Sequence, residues 1–166
     1  ELIHRYQQMV GSVNYAAIST RPDITHAVGI AARYASKPQA KHLEAVNQIY
    51  SYLSGTISKP LIMNAGKSTS TLSNVIELCA YADSDYAGDP EERKSTSGYL
   101  VRLNDCLISW YSKKQTTIAR SSCEAEIIAY GEVIKQIQWF RNFLQELKIS
   151  YNNDTIPNPI SVYCDN

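Results

Sequence analysis

The sequence lacks several features that mark particular classes of protein. No window approaches about 18 consecutive apolar residues, which argues against a membrane-spanning helix, and no basic-then-apolar start indicates a signal peptide. The four cysteines include no CxxC pair, so neither structural zinc nor a disulfide framework is expected. We therefore expect an intracellular protein with no membrane partner, in the cytoplasm, in a particle or in the nucleus.

The formal net charge is zero, but the charged residues are distributed unevenly along the chain. Residues 1–80 carry seven Lys/Arg and four Asp/Glu, a balance of +3, whereas residues 81–166 carry nine and twelve, a balance of −3. Residues 93–120 contain six basic residues and a single acid, Asp105. A basic segment inside an acidic region leaves open both a nucleic-acid contact and an ordinary solvated hairpin.

The 166 residues are predicted to form two parts joined by a linker. Residues 1–65 show the three-to-four spacing of amphipathic helices, including a helix start at Thr20-Arg21-Pro22-Asp23. By itself this part is typical of a helical packing unit or scaffold. Residues 66–75 are polar and rich in Ser and Thr, which indicates the linker. The second part is residues 76–166.

The second part begins with the pattern of strands and turns. Apolar runs of strand length lie at 75–82, 98–103, 107–111, 116–119 and 160–164. Asn104-Asp105 fits a tight turn, so consecutive strands predict an antiparallel meander. A long amphipathic helix is predicted at about 123–147, with Ile127 and Val133 on its buried side. Three antiparallel strands, a crossover helix and a further strand predict a mixed α/β fold.

Three acids stand at the ends of these predicted elements. Asp83 ends the first strand, Glu124 opens the long helix and Asp165 ends the last strand. If such ends converge, the like charges raise one another's pKa unless a cation neutralises them, and Mg²⁺ with oxygen ligands suits that need. Taken singly, the same acids fit a turn former, a first-turn acid favoured by the helix dipole and a terminal residue. Spacing alone leaves both interpretations open.

Longer motifs carry a resemblance that covers nearly the whole chain. The blocks RKSTSGY, SWYSKKQ, SSCEAE and SVYCDN closely resemble, in order, the ribonuclease H domain of copia-type LTR-retrotransposon Pol polyproteins. The upstream QMVGSVNYAAISTRPDITHAV resembles the segment between the polymerase core and that domain. Two positions depart from the family pattern, since Cys123 stands where Thr is usual and Ile127 where an aromatic residue is usual.

The resemblance implies a ribonuclease H-like mixed sheet that is incomplete at its C-terminus. It also implies hydrolysis of the RNA strand of RNA–DNA hybrids with two Mg²⁺ or Mn²⁺ ions. Asp83 corresponds to the acid that bridges both ions, while Glu124 and Asp165 correspond to the other catalytic metal ligands. Asp85 and Glu126 lie nearby but are not assigned as ligands. A fourth family acid normally lies further downstream than this chain extends.

The implied partners are the hybrid and the remainder of the reverse transcriptase and Pol polyprotein. A hybrid displays 2′-hydroxyls in a wide, shallow minor groove, so recognition rests on shape and backbone contacts. The candidate contacts are Arg93, Lys94, Ser95, Thr96, Ser112, Lys113, Lys114 and Gln115. The alternative is a non-catalytic truncated fragment or decayed copy with at most a structural or binding role, because the downstream acid is missing.

Overall fold

The computed structural model describes residues 1–63, 77–104, 106–147 and 160–164. The chain divides into two compact units, Glu1–Leu61 and Ile62–Asn166. The linker predicted at 66–75 lies outside the described residues. No helix within the described ranges is long and apolar enough to cross a membrane.

The first unit is helical, as its periodicity predicts. Its elements are α1 (Leu2–Ser19), a 3₁₀ turn (Pro22–Ile24), α2 (Thr25–Ala32) and α3 (Ala40–Gly55). Each helix contributes an apolar stripe to one core, in which the side chains of α1 follow the three-to-four spacing. The buried residues of this core are Tyr6, Val10, Val13, Ala17, Ile24, Val28, Ala31, Val46 and Ile49.

The predicted helix start at Thr20-Arg21-Pro22-Asp23 forms the 3₁₀ turn, and a polar cluster ties that turn to the end of α3. Arg21 Nη2 donates to Asp23 Oδ2 at 2.7 Å and to Thr56 Oγ1 at 2.6 Å. Tyr52 donates its hydroxyl to the same Asp23 oxygen at 2.9 Å. The hydrogen bond from Arg21 lowers the pKa of Asp23, so this carboxylate stays ionised and holds the turn in position.

The second unit contains a four-stranded mixed sheet with one long helix. Its elements are β1 (Leu78–Asp85), β2 (Thr96–Leu103), β3 (Cys106–Lys114), α4 (Ser122–Glu146) and β4 (Ser161–Tyr163). The strand order is β3-β2-β1-β4, with β1, β2 and β3 antiparallel and β4 parallel to β1. The predicted mixed α/β architecture, with a meander followed by a crossover helix and a further strand, is confirmed.

The helix α4 packs on one face of the sheet. Val133 and Ile137 of α4 lie in a core with Leu78, Ala80, Ala82 and Val101 of β1 and β2. Because side chains alternate along a strand, Tyr81 and Asp83 lie on the opposite face of β1, and both are exposed.

Two sequence predictions about this unit are wrong. Residues 116–119 form no strand, because the chain leaves the sheet after Gln115 and travels to the start of α4 at Ser122. Ile127 is 66% exposed rather than buried, because the buried stripe of α4 runs through Ala125, Ala129 and Val133 and leaves Ile127 on its outer side.

Asn104 lies in the turn between β2 and β3, whereas Asp105, the other residue of the predicted turn, lies outside the described residues. Leu103 of β2 and Cys106 of β3 are register partners, so the two strands pair right up to the turn. Asn104 adopts a φ of 53°, in the left-handed region that Asn tolerates better than most residues. Its side chain accepts a hydrogen bond from the Glu77 backbone at 2.9 Å, which anchors the start of β1 to the turn.

A buried hydroxyl provides a test of the helical unit. Tyr6 is 0% exposed and donates to the Ala31 carbonyl at 2.8 Å. We expect Tyr6→Phe to lower the free energy of unfolding by about 1 kcal/mol, the usual net value of one buried hydrogen bond. The measurement is urea unfolding of the full chain. Tyr15→Phe is the matched control, since Tyr15 is 72% exposed and its variant should stay within about 0.5 kcal/mol. Equal losses in both variants would contradict the assignment.

Candidate functional site

Asp83 lies near the end of β1, in the centre of the sheet. Its register partner on β2 is Gly98, which has no side chain beyond the backbone to cover the carboxylate. The Asp83 side chain is exposed, and its Oδ1 accepts a hydrogen bond from the Ser84 backbone at 2.7 Å. The carboxylate is therefore accessible from solvent and held by a rigid strand.

The start of α4 is fixed by a reciprocal cap. The N-cap Ser121 accepts a hydrogen bond on Oγ from the Glu124 backbone at 3.1 Å. In return, Glu124 Oε2 accepts one from the Arg120 backbone at 2.7 Å, one residue earlier than in the usual capping box. Glu124 thus serves the helix start, as its position in the first turn predicts, and its carboxylate remains partly exposed.

The end of β4 contacts the same end of α4. Cys164 Sγ donates to Glu126 Oε2 at 3.1 Å, and the Tyr130 hydroxyl donates to the Val162 carbonyl at 3.0 Å. Asp165, the third predicted ligand, lies outside the described residues. Its sequence neighbour Cys164 is the last described residue of the chain.

These contacts bring three element ends to one edge of the sheet. β4 runs parallel to β1, with Tyr163 beside Tyr81, so both strands end on the same side. Among residues 1–63, 77–104, 106–147 and 160–164, no group of three or more His, Cys, Asp or Glu residues could hold a metal ion. The three-carboxylate set of Asp83, Glu124 and Asp165 therefore stays a prediction.

The loop between β1 and β2 is organised by Asp89, which sequence reasoning did not identify. Asp89 Oδ1 accepts hydrogen bonds from the backbones of Glu91 at 3.0 Å and Glu92 at 2.8 Å, and Lys114 Nζ donates to Oδ2 at 3.0 Å. The Glu92 backbone bond, followed by the Lys114 contact, lowers the pKa of the buried Asp89 to about 2. The Asp89-Pro90 pair was the available sequence signal, since Asp before Pro favours turn initiation.

The eight predicted nucleic-acid contacts fall into three groups by environment. Three are buried in the hairpin: Ser95, Thr96 and Gln115. Lys94 and Lys114 form ion pairs with Glu92 at 2.5 Å and 2.8 Å, which ties both cations to the loop.

The other three are more accessible. Ser112 is partly buried on β3, whereas Lys113 and Arg93 are exposed. Arg93 adopts a φ of 54°, a conformation that costs a bulky residue free energy. The exposed cations of this hairpin are therefore Lys113 and Arg93, and the contacts themselves stay predictions.

Nearly the whole chain is similar to parts of much longer proteins. It is 42% identical over 160 residues to the retrovirus-related Pol polyprotein from transposon TNT 1-94 of Nicotiana tabacum, covering 96% of the chain and 11% of that protein. It is 38% identical over 161 residues to the retrovirus-related Pol polyprotein from transposon RE1 of Arabidopsis thaliana, covering 97% and 10%. The chain spans about a tenth of the length of these curated relatives.

A shorter relative has nearly the length of the matched region. The chain is 40% identical over 134 residues to secreted RxLR effector protein 161 of Plasmopara viticola, a match that covers 81% of the chain and 89% of that protein. No family model and no solved structure matches the chain.

The lowered pKa of Asp89 predicts a pH-dependent contribution to stability. The folded-state pKa of about 2 is below the ordinary value of 3.8, so ionised Asp89 stabilises the fold fully at pH values above 3.8. This contribution is lost as the pH falls from 3.8 towards 2. We expect Asp89→Asn to lower the melting temperature at pH 7, with the difference from wild type shrinking across that window. Circular dichroism melting curves recorded from pH 7 down to pH 2 measure both effects.

Glu91→Gln is the control for this experiment, because it removes the same charge from an exposed side chain of the same loop. Its melting temperature at pH 7 should stay near that of wild type. A deficit in Asp89→Asn that persisted unchanged down to pH 2 would show that the charge of Asp89 is not the cause.

Proposed function

Because the chain belongs to a family of sequences that includes the Pol polyproteins of copia-type retrotransposons, we propose that it is a ribonuclease H unit that hydrolyses the RNA strand of RNA–DNA hybrids. The observation that carries the proposal is the common edge of the sheet at which β1, β4 and the start of α4 meet. In the sequence, the acids Asp83, Glu124 and Asp165 each lie two residues from one of these three ends.

The described carboxylates suit a hard divalent cation. A carboxylate offers about four lone-pair sites. In the described part of the chain, the carboxylates of Asp83 and Glu124 each accept one hydrogen bond, from the backbone N–H groups of Ser84 and Arg120. Both retain oxygen lone pairs for Mg²⁺ or Mn²⁺, which prefer such ligands. Asp83 would hold both ions, with Glu124 and Asp165 holding one each. The bound ions would supply an activated water and stabilise the leaving oxygen.

The residues of the chain would orient the hybrid rather than react with it. Asp83 is held by a central strand and Glu124 by a capped helix, so neither carboxylate needs a large rearrangement to present its oxygens. The exposed Lys113 and Arg93 would contact phosphates as sequence-independent positive charges. Recognition of the RNA strand itself would rest on its 2′-hydroxyls and on groove shape.

Removal of one carboxylate tests the activity. We expect Asp83→Asn to reduce Mn²⁺- or Mg²⁺-dependent cleavage of a labelled RNA–DNA hybrid by more than about 100-fold, because even residues that only support metal ligands cost about 10–100-fold. The measurement is the initial rate of RNA-strand cleavage on the hybrid, compared with duplex DNA of the same sequence.

Glu91→Gln again serves as the charge-matched control, and it should cleave at the wild-type rate. Equal cleavage by wild type and Asp83→Asn would refute the site. A folded wild-type chain that left the hybrid intact with either ion would refute the activity and favour the non-catalytic alternative.

The proposed phosphate contact at Lys113 can be tested without cleavage. We expect Lys113→Gln to weaken hybrid binding and to reduce the slope of log affinity against log salt by about 1, because one phosphate contact is lost. Fluorescence anisotropy in EDTA at several salt concentrations measures both quantities. Lys135→Gln removes an exposed charge from α4 and should leave the slope unchanged. The same change of slope in both variants would indicate a general charge effect and overturn this assignment.

A further inference from the structure

A buried polar cluster joins the start of α4 to the sheet; it consists of Ser84, Ser97, Gln115 and the carbonyl of Ala125. Gln115 is 6% exposed. Its Nε2 donates to Ser97 Oγ and to the Ala125 carbonyl, both at 2.9 Å. Its backbone N–H donates to the Ser95 carbonyl at 2.8 Å. Gln115 is thus held at both ends, and one amide group links β2 to the first turn of α4.

The cluster includes the sequence neighbours of both described acidic residues. Ser84 follows Asp83 in β1, and Ala125 follows Glu124 in α4. Ser84 and Ser97 are register partners across β1 and β2. The bond from the Gln115 amide to the Ala125 carbonyl and the backbone bond from Gln115 to Ser95 therefore fix the separation of the sheet and the start of α4.

Two polar atoms of the cluster lower the stability of the fold. Gln115 Oε1 and Ser84 Oγ are buried, and neither has a hydrogen-bond partner in the part of the chain that the structure describes. Buried polar atoms without partners are destabilising, and an apolar side chain of similar size at position 115 would avoid part of that penalty. A gain in stability alone therefore does not account for glutamine at this position.

We propose that Gln115 is a positioning residue that sets Glu124 relative to Asp83. The side-chain amide of Gln115 donates to the Ala125 carbonyl, and its backbone N–H donates to the Ser95 carbonyl beside the sheet. Displacement of Gln115 would therefore move the first turn of α4 relative to the sheet. The catalytic consequence rests on the proposed ribonuclease H function, whereas the structural consequence does not. This role differs from the direct phosphate contact that the sequence motif predicts for Gln115.

Gln115→Met tests the catalytic consequence, because methionine is similar in size and donates no hydrogen bond. We expect the Mn²⁺ concentration for half-maximal hybrid cleavage to rise about 10-fold, as for other residues that orient metal ligands. KM for the hybrid should stay within about twofold, since a positioning residue does not contact the substrate. A phosphate contact would produce the opposite pattern, with a raised KM and an unchanged metal requirement.

Ser97→Ala is the matched control. It removes one acceptor of the same cluster but leaves the bond from Gln115 to the Ala125 carbonyl in place. The metal requirement of this variant should stay near that of wild type. If both variants shifted the metal requirement equally, the cluster would act through general stability and the positioning role would be wrong.

Hydrogen exchange of the full chain tests the structural consequence without activity. We expect Gln115→Met to speed amide exchange in the first two turns of α4 by at least about fivefold, the effect of losing one buried hydrogen bond. The half of α4 after Val133 should be unchanged. Unchanged exchange at residues 122–128 in a folded variant would overturn the inference even if the wild type cleaves hybrids. Failure of the wild type to cleave, with faster exchange in the variant, would refute only the proposed function.

Discussion

The burial of one face of α4 against β1 and β2 is the contact on which the second unit depends. Val133 is 0% exposed and Leu78 only 2%, so the helix and the central strand share one dry layer. That layer fixes the face of every residue of β1, because side chains alternate along a strand. Ala82 must face the helix, and its neighbour Asp83 must then face away from it, towards solvent.

Polar contacts at the end of this layer add what apolar packing leaves undetermined. An apolar interface tolerates some sliding of a helix along a sheet, since dispersion contacts have little directionality. The amide of Gln115 and the cap at Ser121 are directional, and they act within the first turns of α4. The contact of Cys164 with Glu126 ties the short β4 to the same region. Packing thus sets the layer, and hydrogen bonds set the register of the helix start.

Periodicity predicted the parts of the fold that depend on apolar burial. The predictions of the long helix and the meander are confirmed. Each of these elements buries an apolar stripe or face, which produces a regular spacing of apolar residues in the sequence. Residues 116–119 misled the prediction because β-branched residues also occur where a chain leaves a sheet. The exposure of Ile127 and the role of Asp89 depend on partners distant in the sequence, which no local pattern reveals. For the candidate site, order along the chain predicted which element ends carry acids, but not the contacts that hold them.

The backbone of Arg93 has a consequence for how the hairpin can change. A left-handed φ of 54° suits glycine, and an arginine there costs on the order of 1 kcal/mol. The loop therefore gives up local stability to present a guanidinium group at its surface. Under the proposed phosphate contact of Arg93, a substitution that stabilises the fold at this position would weaken binding. A glycine would relax the backbone and remove the charge in the same step.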